Sequence, residues 1–304
     1  MNTKISVCIP TYNRKGKLKR AIESVLKQTY DNYELIISDN CSIDGTEEMI
    51  KTDFLNVPNL TYYRNEVNRG MVPNWRNCLE KATGDFYIIL DDDNYLIYDD
   101  YLSDASLVIK ENSNIQLVFG DFLIRFKEKD QMESYRFNPY IKGKDLYKNY
   151  FNFKRVPQIF FVLLNRETAI KNDFYIDNLI THDVQSFMIS MLQGDVGYIK
   201  RLIGIYDMTG EDNVVLSIQS KWKDYINYHD RILAIGNKSG LKKSFYERPL
   251  KRQLRQSYNS QITRLTKEEK DWYNSRIRKL YGQKYFVYLK FVDIFYSIGK
   301  RILK

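Results

Sequence analysis

Three aspartates stand side by side at Asp91, Asp92 and Asp93, within the string FYIILDDDNYL of residues 86–96. Their carboxylates repel one another, and gathering them opposes folding unless a cation or hydrogen-bond donors offset the repulsion. In extended backbone Asp91 and Asp93 project to the same side, so they are placed to share one hard cation. Mn2+ or Mg2+ takes a few carboxylate oxygens and completes its shell with phosphate oxygens, which makes the triplet a candidate metal–diphosphate clamp. The competing reading is a solvated turn whose aspartates cap a helix.

Two other polar clusters at strand ends, Ser38-Asp39-Asn40 and Pro10-Thr11-Tyr12, invite chemistry, as does one pair at a helix start. Asp39 closes the string YELIISD, and a carboxylate at a strand end can accept the N3–H of a uracil or thymine ring; Asp/Asn/Ser runs are also ordinary turn residues. Tyr12, in Pro10-Thr11-Tyr12, has a ring able to stack on such a base, or simply to cover a sheet edge. His182 and Asp183 stand at the start of HDVQSFMISMLQG, where a carboxylate can serve as a general base or as a helix N-cap.

The elements that must position these residues follow from periodicity. KISVCIP reads as a strand stopped by Pro10, and Leu18, Ala21, Ile22, Val25 and Leu26 fall at helical spacing after it. YELIISDN is a second strand and SIDGTEEMI starts a helix with acidic residues in its first turn. LTYYRN is a third strand, NWRNCLEKATG a helix closed by Gly84, and FYIIL a fourth strand. Further on, IQLVFGDFLIRF is a strand, QIFFVLLNRETAI a strand entering a helix, HDVQSFMISMLQG a helix, and YIKRLIGIYD a last strand. This rhythm indicates an α/β fold with a doubly wound, mostly parallel sheet, whose ligands sit beyond the carboxyl ends of the strands. The three polar clusters each lie just past such an end, so they converge on one rim.

SVCIPTYNR, LKQTYDNYELIISDNCSIDGT and NRGMVPNWRNCLEKATGDFYIILDDDN, in that order and spacing, resemble the family-two glycosyltransferases of the GT-A fold. The resemblance covers residues 4–210. It implies that Asp39 matches the first carboxylate of the family's base-binding Asp-Asp-Gly-Ser element, with Asn40 and Cys41 in place of the usual Asp and Gly. It implies that Pro10 and Tyr12 line the nucleotide, with Tyr12 at the ring-stacking position. Asp91-x-Asp93 matches the DxD motif, whose last Asp ligates Mn2+ or Mg2+, and Asp92 falls near the donor ribose or sugar. Arg69 and Arg76 lie where a basic residue often meets the diphosphate; at least one of them is expected to be a solvated surface arginine. Asp183 matches the base of inverting members, with His182 where Glu is usual; His182 itself is expected to be a neutral surface or supporting residue. Residues 206–215, YDMTGEDNVV, match a loop that closes over the substrates, without the His some members carry there.

Charge and composition set the remaining bounds. Residues 221–304 carry 21 Lys/Arg against 7 Asp/Glu, a net +14, whereas the rest of the 304-residue chain carries 26 against 31, a net −5. That places a domain boundary near residues 217–221, between a GT-A domain over 1–217 and a basic, mainly helical region over 218–304. Three scattered cysteines argue against a disulfide frame or a zinc site. The apolar stretch before Pro10 is too short for a signal peptide, so the expected place is the cytoplasm; a place at the inner face of the membrane is what the resemblance implies. Within the tail, Thr266 and Glu269 fit a capping box. Lys290, Asp293, Ser297, Lys300 and Lys304 form one polar stripe on an otherwise apolar helix, a pattern for an anionic membrane surface or for packing on the body or a second subunit. Nucleic acid finds no support in the body of the chain.

The expected function is metal-dependent, inverting transfer of a sugar from a UDP- or dTDP-sugar; that the acceptor is a lipid-linked glycan in bacterial surface-polysaccharide synthesis is what the resemblance implies. The alternatives are a sugar-phosphate nucleotidyltransferase, for which PTYNRKGK is a poor glycine-rich phosphate loop, and a degenerate membrane-tethered scaffold.

Overall fold

The computed structural model describes residues 3–152, 161–176, 181–210 and 223–302, without the side chains of 225, 259–260 and 293–302. The expected boundary at 217–221, the second half of the 206–215 loop, and Lys304 of the expected polar stripe lie outside these residues. Residues 3–146, 161–176 and 182–210 form one unit, and residues 147–152, 181 and 223–302 a second.

The first unit opens with β1 (Ile5–Thr11), α1 (Lys15–Val25), β2 (Tyr33–Asp39), α2 (Thr46–Asp53), β3 (Leu60–Arg64), α3 (Met71–Lys81) and β4 (Phe86–Ile89). It continues through β5 (Asn94–Leu96), α4 (Tyr101–Glu111), β6 (Ile115–Arg125), β7 (Gln131–Glu133), β8 (Tyr140–Ile141) and the first residues of α5 (Gly143–Asn149), up to Leu146. It ends with β9 (Leu163–Asn165), α6 (Arg166–Lys171), α7 (His182–Gln193) and β10 (Asp195–Asp207). One sheet runs β3-β2-β1-β4-β9-β6-β10-β5, with β7 paired to β6 and β8 to β10. β9 and β5 run against their neighbours while the other six strands of that path share one direction. β1 is buried at every position, as a strand covered on both faces must be, and Leu18, Ala21, Ile22 and Val25 of α1 supply part of that cover.

Two expectations change. Pro10 does not stop β1, which continues to Thr11 with Pro10 opposite Ser38. Pairing with β4 reaches only Cys8, so the N–H that proline lacks falls on a side where no ladder bond is due. Gly84 does not close α3, whose last helical residue is Lys81. Gly84 instead crosses close to β1: a Cβ there would lie 2.7 Å from Ser6 Oγ and 2.8 Å from the Lys4 carbonyl, and its N–H donates to Ser6 Oγ at 2.8 Å.

The second unit contains α8 (Asp224–Lys238), α9 (Lys243–Ile262) and α10 (Lys267–Ile302). Its core includes Ile226, Leu254, Tyr258, Tyr273 and Phe286. The capping box is present: Thr266 N–H donates to Glu269 Oε2 at 2.8 Å and Glu269 N–H to Thr266 Oγ1 at 3.3 Å. α10 breaks at Gly282, whose φ of 83° and ψ of 164° are not helical.

Candidate active site at the strand ends

Strand register builds the rim. Thr11, Asp39 and Arg64, the last residues of β1, β2 and β3, stand in one row across the sheet. β4 ends at Ile89, and the aspartate triplet follows. It is not extended, as the sequence suggests, but turns back: Asn94 N–H donates to the Asp91 carbonyl at 2.9 Å, and β5 then pairs antiparallel with β10, Asn94 opposite Tyr206.

Arg14, at the mouth of α1, supplies the counter-charge. Its Nη1 lies 3.0 Å from both Asp92 Oδ1 and Asp93 Oδ2, and Thr11 Oγ1 donates to Asp92 Oδ2 at 2.8 Å. One guanidinium does not balance three carboxylates. Burial, with the charges of Asp93 and Asp92, pushes the Asp91 carboxyl up to about 8, although Trp75 hydrogen-bonds to it. Burial likewise raises Asp92 to about 6 against the pull of Arg14 and Thr11. Arg20 of α1 braces the turn from behind: Nη2 donates to the Asp93 carbonyl at 3.0 Å, Nη1 to Asp207 Oδ2 at 2.8 Å, and its guanidinium lies 4.3 Å from the Tyr95 ring centre.

Asp39 is fully buried, accepting from Ser42 N–H at 2.8 Å and Tyr62 OH at 2.6 Å, with Arg64 Nε 3.9 Å away. Burial and the Asp39 charge push the Tyr62 phenol above its usual range, so it stays protonated as a donor. Asn40 enters a neutral network: its Oδ1 accepts from Asn65 Nδ2 at 3.1 Å and Arg69 N–H at 2.9 Å, while its Nδ2 donates to Asn68 Oδ1 at 2.7 Å. Asn74 extends it, accepting from Asn65 and Ser38 and donating to the Ser38 carbonyl. A carboxamide both donates and accepts, which a carboxylate at position 40 would not.

The other candidates differ in setting. Pro10 is buried in β1, and Tyr12 is 44% exposed. The Arg69 side chain is exposed, whereas Arg76 donates to Glu80 Oε1 at 2.7 Å and the Phe174 carbonyl at 3.0 Å. Asp183 lies in the first turn of α7 and is partly exposed, with Val184 N–H on its Oδ1 at 2.7 Å. Tyr206 links it electrostatically to the triplet: burial raises this phenol to about 12, and Asp93, Asp91 and Asp183 add to the shift. His182 is not a surface residue. It is fully buried, with its ring edge-on to Tyr175 at 5.6 Å.

Among the described residues no group of three or more His, Cys, Asp or Glu side chains is set to hold a metal ion. Asp91 and Asp93 offer two carboxylates, a donor set that fits a hard divalent cation whose other ligands are phosphate and water. Sequence reasoning put Thr11 on the rim without giving it a role and passed over Arg14, Arg20 and Trp75. Only Arg14 carried a signal, as a cation two residues beyond Tyr12 on the predicted rim.

A mostly parallel α/β sheet flanked by helices, with acidic side chains gathered at its strand ends, is the GT-A architecture of glycosyltransferases. The sequence model of Glycosyl transferase family 2 matches residues 6–173, more than half of the chain, and the chain belongs to that family. It is similar to the GalNAc(5)-diNAcBac-PP-undecaprenol beta-1,3-glucosyltransferase of Campylobacter jejuni, 27% identical over 229 residues, 74% of this chain and 72% of that protein. It is 31% identical over 121 residues to the UDP-Glc:alpha-D-GlcNAc-diphosphoundecaprenol beta-1,3-glucosyltransferase WfgD of Escherichia coli, 40% of this chain but only 46% of that one. Its fold matches S. aureus TarS 1-349 in complex with UDP-GlcNAc, with a TM-score of 0.75 at 17% identity, over 96% of this chain and 88% of that structure.

Proposed function

We propose that this glycosyltransferase moves a sugar, with inversion, from a UDP- or dTDP-sugar to a hydroxyl of a growing lipid-linked surface glycan at the inner face of a cell membrane. The observation that carries the reading is the Asp91–Asp93 turn set beside Thr11 and Arg14 at the strand ends. Support for donor and acceptor comes from the relatives, two named for diphosphoundecaprenol-type acceptors and β-linked products, and from the TarS complex with UDP-GlcNAc. A β-linked product from an α-linked donor requires inversion.

In this reading Asp39 takes the N3–H of the pyrimidine. Ser42 and Tyr62 hold its carboxylate in place, and full burial means that the residues over it must shift slightly to admit the base. Pro10 shapes the backbone under the nucleotide and Tyr12 stacks on the base. Asp92 faces the ribose or sugar, and Arg69, with its exposed side chain, meets the diphosphate, whereas Arg76 is engaged elsewhere. Asp93 and Asp91 are the residues that would hold Mn2+ or Mg2+, which supplies charge neutralisation at the diphosphate. Asp183 takes the proton from the acceptor hydroxyl as that oxygen bonds to the anomeric carbon and the bond to the nucleoside diphosphate breaks.

The test is a panel of UDP- and dTDP-sugars offered with an undecaprenyl-diphosphate-linked saccharide, and product linkage read by NMR. A β-linked product, lost in Asp183→Asn while UDP still binds, is expected. Absence of nucleotide release from every donor, with and without acceptor, would remove the reading.

A further inference from the structure

The last helix of the second unit is apolar on two faces. Past the break at Gly282, α10 buries Phe286 and Leu289, yet leaves Val287, Tyr288 and Phe291 exposed by 41, 46 and 57%. At 3.6 residues per turn these three, with the exposed Lys284, fall on one stripe. Large apolar side chains gathered on an exposed stripe mark a surface that meets something.

Charge indicates what that is. Arg248, Arg252 and Arg255 follow one another at i, i+4 and i+7 along α9, and Arg255 Nη1 donates to Tyr288 OH at 3.4 Å, so a basic row borders the apolar one. No Asp or Glu occurs in residues 248–267 or 272–292. A second copy would set like charge against like across residues 221–304, which carry +14. An anionic lipid surface satisfies both rows, with headgroup charge for the arginines and the acyl boundary for Val, Tyr and Phe. Among the described residues no helix is long and apolar enough to cross a membrane, so contact along the interface is the mode this stripe offers.

We propose that Val287, Tyr288 and Phe291 of α10, with Lys284 and the Arg248–Arg252–Arg255 row beside them, dock the protein on an anionic lipid surface. The inference rests on the lipid-linked acceptor proposed above, since docking brings the chain onto the leaflet that holds it.

The experiment is co-sedimentation of the full chain with vesicles of phosphatidylcholine alone, or of phosphatidylcholine with about 30 mol% phosphatidylglycerol, at two salt concentrations. Binding to the anionic vesicles on the order of 100-fold tighter, weakened by salt, is expected. Val287→Ser/Tyr288→Ser/Phe291→Ser and Arg248→Ser/Arg252→Ser/Arg255→Ser should each lose at least about tenfold of it. UDP titration of the same samples reports folding and the donor site separately, so loss of vesicle binding with UDP binding intact touches only this surface. Equal sedimentation with both vesicle types, or triple variants that bind as the parent does, would overturn the proposal. So would a dimer seen by light scattering, or an RNA oligonucleotide bound in place of vesicles, that the apolar or the basic triple variant abolishes.

Discussion

The rim of the sheet and the helical unit bury polar groups in opposite ways. At the rim, Arg14 pairs with Asp92 and Asp93, and burial with their charges leaves Asp91 pushed up to about 8. In the helices, His229 is fully buried but neutral: Nε2 donates to Gln253 Oε1 and Nδ1 accepts from Tyr281 OH, each at 2.7 Å, and burial lowers the ring to about 4. Tyr258 with Asn274, and Tyr273 with Gln261, repeat that neutral solution. The buried carboxylate of the helices, Glu247, is paired with Lys251 and Lys243, whereas at the rim burial and mutual repulsion push Asp91 towards its neutral form. Carboxyl groups shifted in this way mark the region where ligand chemistry is expected.

The contrast can be broken most severely at Asp183. Asp183→Asn should lower kcat by about a hundred- to ten-thousand-fold with UDP affinity unchanged, measured by steady-state transfer and calorimetry. A variant with parental kcat would move the base elsewhere. Next comes Arg14→Ala, which removes this cation from Asp92 and Asp93 and should cost about 3 kcal/mol in denaturant unfolding. Mn2+ should raise the Tm of this variant more than that of the parent, because a second cation then fills the same electrostatic need. A loss under about 0.5 kcal/mol would mean that the triplet is solvated and the contrast false.

The neutral side of the comparison has its own test. The folded pKa of His229 lies below the ordinary 6.5, so the unfolded chain binds the proton first as pH falls. The stabilisation is therefore complete above about 6.5 and is lost as pH drops towards about 4, amounting to about 2–3 kcal/mol across that window. His229→Gln should flatten that slope in the pH dependence of Tm while costing about 1 kcal/mol at pH 7.5. The smallest effect is expected for Tyr62→Phe, which removes one donor from Asp39: about 1 kcal/mol of stability and a few-fold weaker UDP binding.

The strand and helix order was legible because continuous apolar runs and helical spacing are local properties. The shared rim followed, since parallel strands end on the same side, and Thr11, Asp39 and Arg64 do stand in one row. Pairing between distant segments left no local trace. β9 inserts antiparallel between β4 and β6, and β5 folds the triplet into a turn by pairing with β10 more than 100 residues later. Arg14 was missed for the same reason, its partners lying 78 and 79 residues away. In α10, the break at Gly282 is invisible to a period that counts only apolar positions.

The central claim is that the triplet is a donor site completed by a divalent cation, and calorimetric titration of UDP tests it most directly. The protein would be titrated with Mn2+ and again with EDTA, beside Asp93→Ala. Binding that requires both Mn2+ and Asp93 is the expected result. UDP binding that is unchanged by EDTA and by Asp93→Ala, or absent throughout, would contradict the account.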